Sequence, residues 1–448
     1  MENQLKGSMV TGNPTKALIA FTLPMVGGNL FQQFYNIVDS IIVGNVVGED
    51  ALAAVGASTA ITMLFVMVAI GTGIGCSVVV SQLFGANQLA KMKTAISTAL
   101  LSILGFSILL SILGMAINKG ILRLMGTPDN IFTEASAYLQ IYFYGFVFLF
   151  LYNAFSAIFN ALGDSTKPLL FLMFSSILNI GLDLFFVAKL HMGVAGAAWA
   201  TLISQAISAV LSFGFLMRKL KGIETEYFAK YDVGMLKRMV TVAIPTIVQQ
   251  SIVSVGMLLI QSVVNRFGST FIAGYTAAVK IDGIAITPMV AVGNAASTYV
   301  AQNMGARKPE RISQGYRICL TMAAGIGLFI AVVLHFAGEE VVGLFMDSAN
   351  SAGAISIGAE YLSIVSLFYF IMGIMNVSSG ILRGAADMKW FLACSLCNLA
   401  TRVVLSYALA GITAGKIIMW ANPIGWSVGL IIAVFRYFQG GWKKRVLI

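Results

Sequence analysis

Long, almost charge-free apolar stretches recur along the chain. Ala17–Val43, Ile96–Ile117 and Leu169–Ala188 each reach or exceed the roughly 20 residues that cross a bilayer as a helix. In hydrocarbon no water is available to the backbone, so stretches of this length that enter a membrane must bond internally as helices. Twelve such helices are predicted. The first six span residues 17–44, 51–83, 95–117, 136–160, 168–188 and 193–217, and the second six span 239–266, 271–303, 314–337, 356–382, 390–410 and 417–438. A soluble alternative fails on composition. With 58% hydrophobic and 10% charged residues, the chain has too little polar surface to cover so much apolar mass in water. The fold class expected is an all-α, polytopic membrane protein.

The formal net charge of +10 does not point to nucleic acid, because the basic residues sit in the short loops between spans. With both termini inside, the inner segments hold 21 Lys and Arg, and the outer loops hold 5, namely Lys119, Arg123, Lys189, Arg266 and Lys416. Lys280 and Arg402 fall inside spans and complete the total of 28. This bias sets both termini in the cytoplasm and fits an even number of spans. Met1–Thr15 is polar and the apolar run behind it is too long for a signal peptide, so the first span is read as retained. The four cysteines (Cys76, Cys319, Cys394, Cys397) lie in or beside spans, and Cys394-x-x-Cys397 reads as helix packing.

The chain also repeats itself at an offset of about 221 residues. Ile19–Pro24 corresponds to Val240–Pro245, Val80–Ala86 (VSQLFGA) to Val300–Ala306 (VAQNMGA), and Asn153-x-x-Ser156 with Asp164 to Asn376-x-x-Ser379 with Asp387. Shared apolar composition accounts for the helices but not for the aligned Pro, Gln and Asp. Six spans is an even number, so both halves enter the membrane from the same side. They are expected to form two bundles related by a pseudo-two-fold along the membrane normal, residues 1–217 and 239–448, joined by a basic linker at 218–238. Facing bundles form a cleft suited to alternating access, the architecture of a secondary transporter.

Ionisable groups inside spans are functional candidates, since desolvating a charge there is costly. The first helix carries Gln32, Tyr35, Asn36 and Asp39 along one face; the fifth carries Ser175, Ser176, Asn179 and Asp183. If these stripes face one another, the two carboxylates form a cation site that takes up and releases a proton, or holds Na⁺ with hard oxygen ligands. The second half does not copy it: Asp39 falls opposite Ile260, Asn179 opposite Arg402 and Asp183 opposite Ser406. Lys280 and Asp282, two residues apart, point to different sides of their helix. Gly71-Thr-Gly-Ile-Gly75 lacks the strand and the Lys of a phosphate loop and reads as close helix packing. No ATPase motif is present, so an ion gradient is the expected energy source, with no cofactor.

The order of these blocks resembles the multidrug and toxic compound extrusion (MATE) transporters over nearly the whole chain, and most closely the branch whose membrane acids lie in the N-terminal half. The resemblance implies a cation site at Asp39, Asn179, Asp183 and Thr201, with H⁺ or Na⁺ as coupling ion. It also implies a cavity lining of Gln32, Tyr35, Asn153 and Ser176, and a conformational role for Pro24. The implied protein is a monomeric antiporter in a bacterial plasma membrane that exports small organic, cationic amphiphiles, with lipid as its other partner. Two rivals differ in class. A flippase of lipid-linked oligosaccharides calls for a strongly basic cavity, and only Lys280 and Arg402 lie within spans. A membrane enzyme calls for clustered catalytic groups, and the chain has two histidines and no H-E-x-x-H.

Overall fold

The computed structural model describes residues 9–47, 49–225, 227–344, 351–445 and 447–448, without the side chains of 39–52 and 60. No strand occurs among the described residues. The helices are α1 (Pro14–Val47), α2 (Glu49–Gly85), α3 (Leu89–Leu124), α4 (Asp129–Ala161), α5 (Thr166–Asp183), α6 (Gly193–Lys221), α7 (Val233–Val264), α8 (Ser269–Gly305), α9 (Pro309–Gly343), α10 (Ala352–Ser366), α11 (Tyr369–Gly384), α12 (Met388–Leu409) and α13 (Lys416–Gln439). Each expected span finds its helix. Among the described residues ten helices are long and apolar enough to cross a membrane, and α10 with α11, bent by 53° at their junction, pass the same test together. The first expected span falls on α1, which is 34 residues long.

Two features depart from uniform helices. The tenth expected span breaks at Leu367–Phe368, where no Pro or Gly marks the sequence; there Gly327 of α9 lets the backbone of Tyr369 and Phe370 approach closely. Beyond Asp183, α5 continues as a π-helical turn, Leu184–Lys189.

Residues 27–247 form one compact unit; residues 9–26 with 248–448 form a second. The divisions fall inside α1 and α7, each of which begins in one unit and ends in the other. The units therefore differ from the two sequence halves by the first turns of these helices, and the 218–238 segment belongs to the first unit. Its loop is strapped along α3: Lys93 Nζ donates to Ile223 O at 2.6 Å, Ser97 Oγ to Lys230 O at 2.6 Å, and Asp232 N–H to Thr98 Oγ1 at 3.0 Å.

In the first unit, the run Gly71–Gly75 acts as a packing surface. A Cβ on Gly71 or Gly75 would collide with Ile247 or Ala243 of α7, and one on Gly73 would press on Asn153 of α4. Small residues allow such backbone approach where lipid provides no hydrophobic drive. In the second unit, residues 9–12 lie on the α8–α9 corner. Met9 N–H donates to Gln302 Oε1 at 2.8 Å, and Arg311 reaches the carbonyls of Met9 and Gly12 at 3.1 and 3.0 Å.

The repeat is visible in backbone and side chains alike. Non-glycine left-handed residues recur at matched corners, Asn87 (φ 56°) with Arg307 (φ 54°) and His191 (φ 51°) with Ala414 (φ 48°), while Gly163 (φ 74°) matches Ala386 (φ 59°). Asp164 pairs with Lys219 of α6 at 3.0 Å, and its counterpart Asp387 pairs with Arg436 of α13 at 2.6 Å.

Helices α8 and α11 cross closely: a Cβ on Gly380 would strike the Gly293 carbonyl and one on Gly384 the Ser297 carbonyl. Gly380→Ala is expected to cost about 1–3 kcal/mol by forcing the helices apart. Gly105→Ala, which meets open space, is expected to cost nothing measurable. Thermal denaturation of the two purified variants in detergent checks the difference.

Candidate functional site

The polar stripe of α5 turns inward within the first unit. Ser176, Asn179 and Asp183 are all buried, with Asp183 fully so. Helical spacing stacks Asn179 and Asp183 on one face, one turn apart, and α1 and α6 bring Tyr35 and Thr201 to them. The Asn179 amide orientation follows from its hydrogen-bond network. With nitrogen toward the acceptors, Nδ2 donates to Asp183 Oδ2 at 2.9 Å and to Tyr35 Oη at 2.8 Å, while Oδ1 accepts from Thr201 N–H at 3.1 Å. In the opposite orientation Nδ2 reaches only Thr201 Oγ1 at 3.4 Å and the oxygen faces acceptors, so the first is adopted.

Asn179 is thus the hub. It ties a buried carboxylate to a phenol from α1 and to the backbone of α6. The remaining candidates are placed differently. Gln32 donates along α1 to Asn36 Oδ1 at 3.0 Å, and Asn153 donates to Leu149 O of its own helix at 2.9 Å, so the contacts of both amides lie outside the Asn179 cluster. Ser176 is buried one turn before Asn179. The Asp39 side chain lies outside the described residues, and its backbone follows Tyr35 by one turn of α1. Pro24 lies inside α1, and Pro245, its counterpart, inside α7. Thr201 also lines a crevice with Tyr142, Leu149 and Gln205.

Chemically, the cluster offers a carboxylate, an amide and two hydroxyls, the hard oxygen chemistry of a proton or an alkali cation. No group of three His, Cys, Asp or Glu that could hold a metal occurs among the described residues. Asp282 stands out in the sequence as an ionisable group within a span, but its partners in the second unit do not. Tyr369 of α11 donates to Asp282 Oδ1 at 2.7 Å, and Asn422 of α13 donates to Tyr361 Oη of α10 at 2.7 Å. These pairs join residues 87 and 61 positions apart, a separation that no helical periodicity reveals.

A family profile described as MatE matches residues 24–185 and again 245–408, each copy starting on one of the aligned prolines. The chain belongs to the MatE family. It is 30% identical over 443 residues to "Probable multidrug resistance protein YpnP" of Bacillus subtilis (strain 168), covering 97% of each. Among solved structures, "Crystal structure of MATE in complex with MaL6" matches with a TM-score of 0.91 at 23% identity. "Outward-facing conformation of a multidrug resistance MATE family transporter of the MOP superfamily" matches at 0.90 and 24%. Both matches cover 97% of this chain and 98% of the other. This MatE protein is therefore a multi-span membrane transporter and not an enzyme.

Proposed function

We propose that this MatE transporter is a secondary antiporter that exports organic, cationic amphiphiles in exchange for H⁺ or Na⁺. One observation carries the reading: a fully buried carboxylate, Asp183, is clamped by Asn179 beside Tyr35 and Thr201 in the first half of the chain. Buried acids within membrane spans mark ion pathways because their charge has to be compensated by an ion or a partner. In the proposed cycle the ion arrives from outside and binds at Asp183 with Asn179, Thr201 and Asp39. Because Tyr35 and Asp39 share α1 with Pro24, ion binding alters that helix and releases substrate from a cavity lined by Gln32, Tyr35, Asn153 and Ser176. On the inside the ion leaves and substrate rebinds. Both termini are cytoplasmic in this reading, the membrane is the plasma membrane, the protein acts as a monomer, and residues 1–217 and 239–448 are the two moving lobes.

Purified protein in liposomes, loaded with a cationic dye and given a pH gradient or a Na⁺ gradient separately, tests the proposal. Efflux driven by one gradient and not by an equal gradient of choline supports antiport and names the ion. Dye movement indifferent to both gradients overturns it.

A further inference from the structure

The position in α12 that corresponds to the α5 carboxylate stripe carries the opposite charge. Asn398, Arg402 and Ser406 stand on successive turns of one face, with Arg402 matching Asn179 and Ser406 matching Asp183. Each presents a buried polar atom without a hydrogen-bond partner: Asn398 Oδ1, Arg402 Nε and Ser406 Oγ. Ser406 is fully buried, while Arg402 is half-buried and so remains reachable.

The surrounding groups do not neutralise the guanidinium by direct contact. Arg402 makes no ion pair within 4 Å among the described residues, although it is near enough to Asp282, Tyr275 and Tyr361 for its charge to act on each. Asp282 is held by the Tyr369 hydroxyl at 2.7 Å and Tyr361 by the Asn422 amide at 2.7 Å. Across from Arg402 stands Gly425 of α13. A Cβ there would lie 2.5 Å from Arg402 Cγ and 2.7 Å from Asn398 Oδ1, so the missing side chain gives the arginine its place. A planar guanidinium with free N–H groups next to an unpaired hydroxyl suits a carboxylate or phosphate, which Arg binds through paired hydrogen bonds.

We infer that the second unit holds an oxyanion-binding subsite, formed by Arg402 and Ser406 on α12, which takes the carboxylate or phosphate of an exported compound. Asn398 Oδ1, the acceptor at the end of the stripe, meets a hydroxyl or ammonium carried beside the oxyanion. The inference rests on the export reading only in making the ligand a transported compound, and it widens the substrate range from cations to zwitterions.

The test is equilibrium binding of two dyes, rhodamine B with its free carboxylate and rhodamine B ethyl ester, to the full-length protein purified in detergent. Fluorescence anisotropy gives the ratio of their affinities. The wild type is expected to favour the free acid by about fivefold or more, roughly 1 kcal/mol. Arg402→Gln is expected to bring the ratio to about one, and Arg402→Lys to keep most of the preference. Lys416→Gln removes the same charge from the exposed pair with Glu360 and is expected to leave the ratio as in the wild type. Ser406→Ala, expected to lower the ratio about threefold, is the second measure if Arg402→Gln does not fold. The inference is overturned by a wild type without preference, by an unchanged ratio in Arg402→Gln and Ser406→Ala, or by an equal fall in Lys416→Gln. It is also overturned if phosphatidylglycerol binds in an Arg402-dependent way and rhodamine B does not, since the site would then serve a lipid headgroup. Failure of the wild type to move dye in liposomes counts against export and does not alter the binding ratio.

Discussion

Asp183→Asn is expected to lower ion-driven efflux by about a hundredfold or more while the protein stays folded and still binds dye. The substitution is nearly isosteric. Asn keeps an oxygen to accept from Asn179 Nδ2, the bond seen at 2.9 Å, so the contacts among α1, α5 and α6 survive. What disappears is the charge, and with it the means of taking up a proton or holding Na⁺. A neutral amide presents the same state to both sides of the membrane, so the ion gradient loses its grip on the conformational change. Asn179→Ala is expected to be milder, about tenfold, because the carboxylate remains and only its orientation toward Tyr35 and Thr201 is lost. Efflux from liposomes and dye anisotropy on the same preparations separate coupling from binding. Wild-type efflux by Asp183→Asn under a proton or sodium gradient would remove Asp183 from the mechanism.

The contrast between what was legible in the sequence and what was not has a physical basis. A bilayer forces long apolar segments into helices, so each expected span could be placed on a helix from its apolar run. The stripes of α1 and α5 were legible because helical geometry fixes which residues share a face, and the structure does bring Tyr35, Asn179, Asp183 and Thr201 together. The break between α10 and α11 was hidden because no Pro or Gly marks Leu367–Phe368, and the close approach beside it involves another helix, at Gly327 of α9. The same holds for the strap of residues 9–12 on Gln302 and Arg311 and for Tyr369 on Asp282. Each depends on which helices become neighbours, and one-dimensional periodicity carries no record of that. The sequence repeat shows where the halves match, as at Asp164 and Asp387, but not how deeply each copy is buried.

That difference in depth leads to the second large effect. Asp387→Ala is expected to destabilise the protein by about 3–5 kcal/mol, and Asp164→Ala by about 1 kcal/mol or less. The two aspartates occupy matched positions and each pairs with a basic residue, Lys219 of α6 or Arg436 of α13, so the repeat alone suggests equal consequences. Their surroundings are not equal. The Asp164 and Lys219 side chains are 25% and 28% exposed, so water screens the pair and solvates whichever member is left alone. The Asp387 and Arg436 side chains are 1% and 10% exposed, with Arg445 4.0 Å from the other carboxylate oxygen. Removing Asp387 strands a guanidinium in the second unit, where it lies near the ring of Trp390, and the cost is that of an unpaired buried charge more than of one lost hydrogen bond. The double variant Asp387→Ala with Arg436→Met separates these two causes. If stranded charge is the larger cost, the second substitution recovers most of the stability; if the lost hydrogen bond dominates, it recovers none. Thermal denaturation of the four proteins in one detergent reads the result, and equal losses at Asp164 and Asp387 would show that burial does not set the strength of the repeated pair.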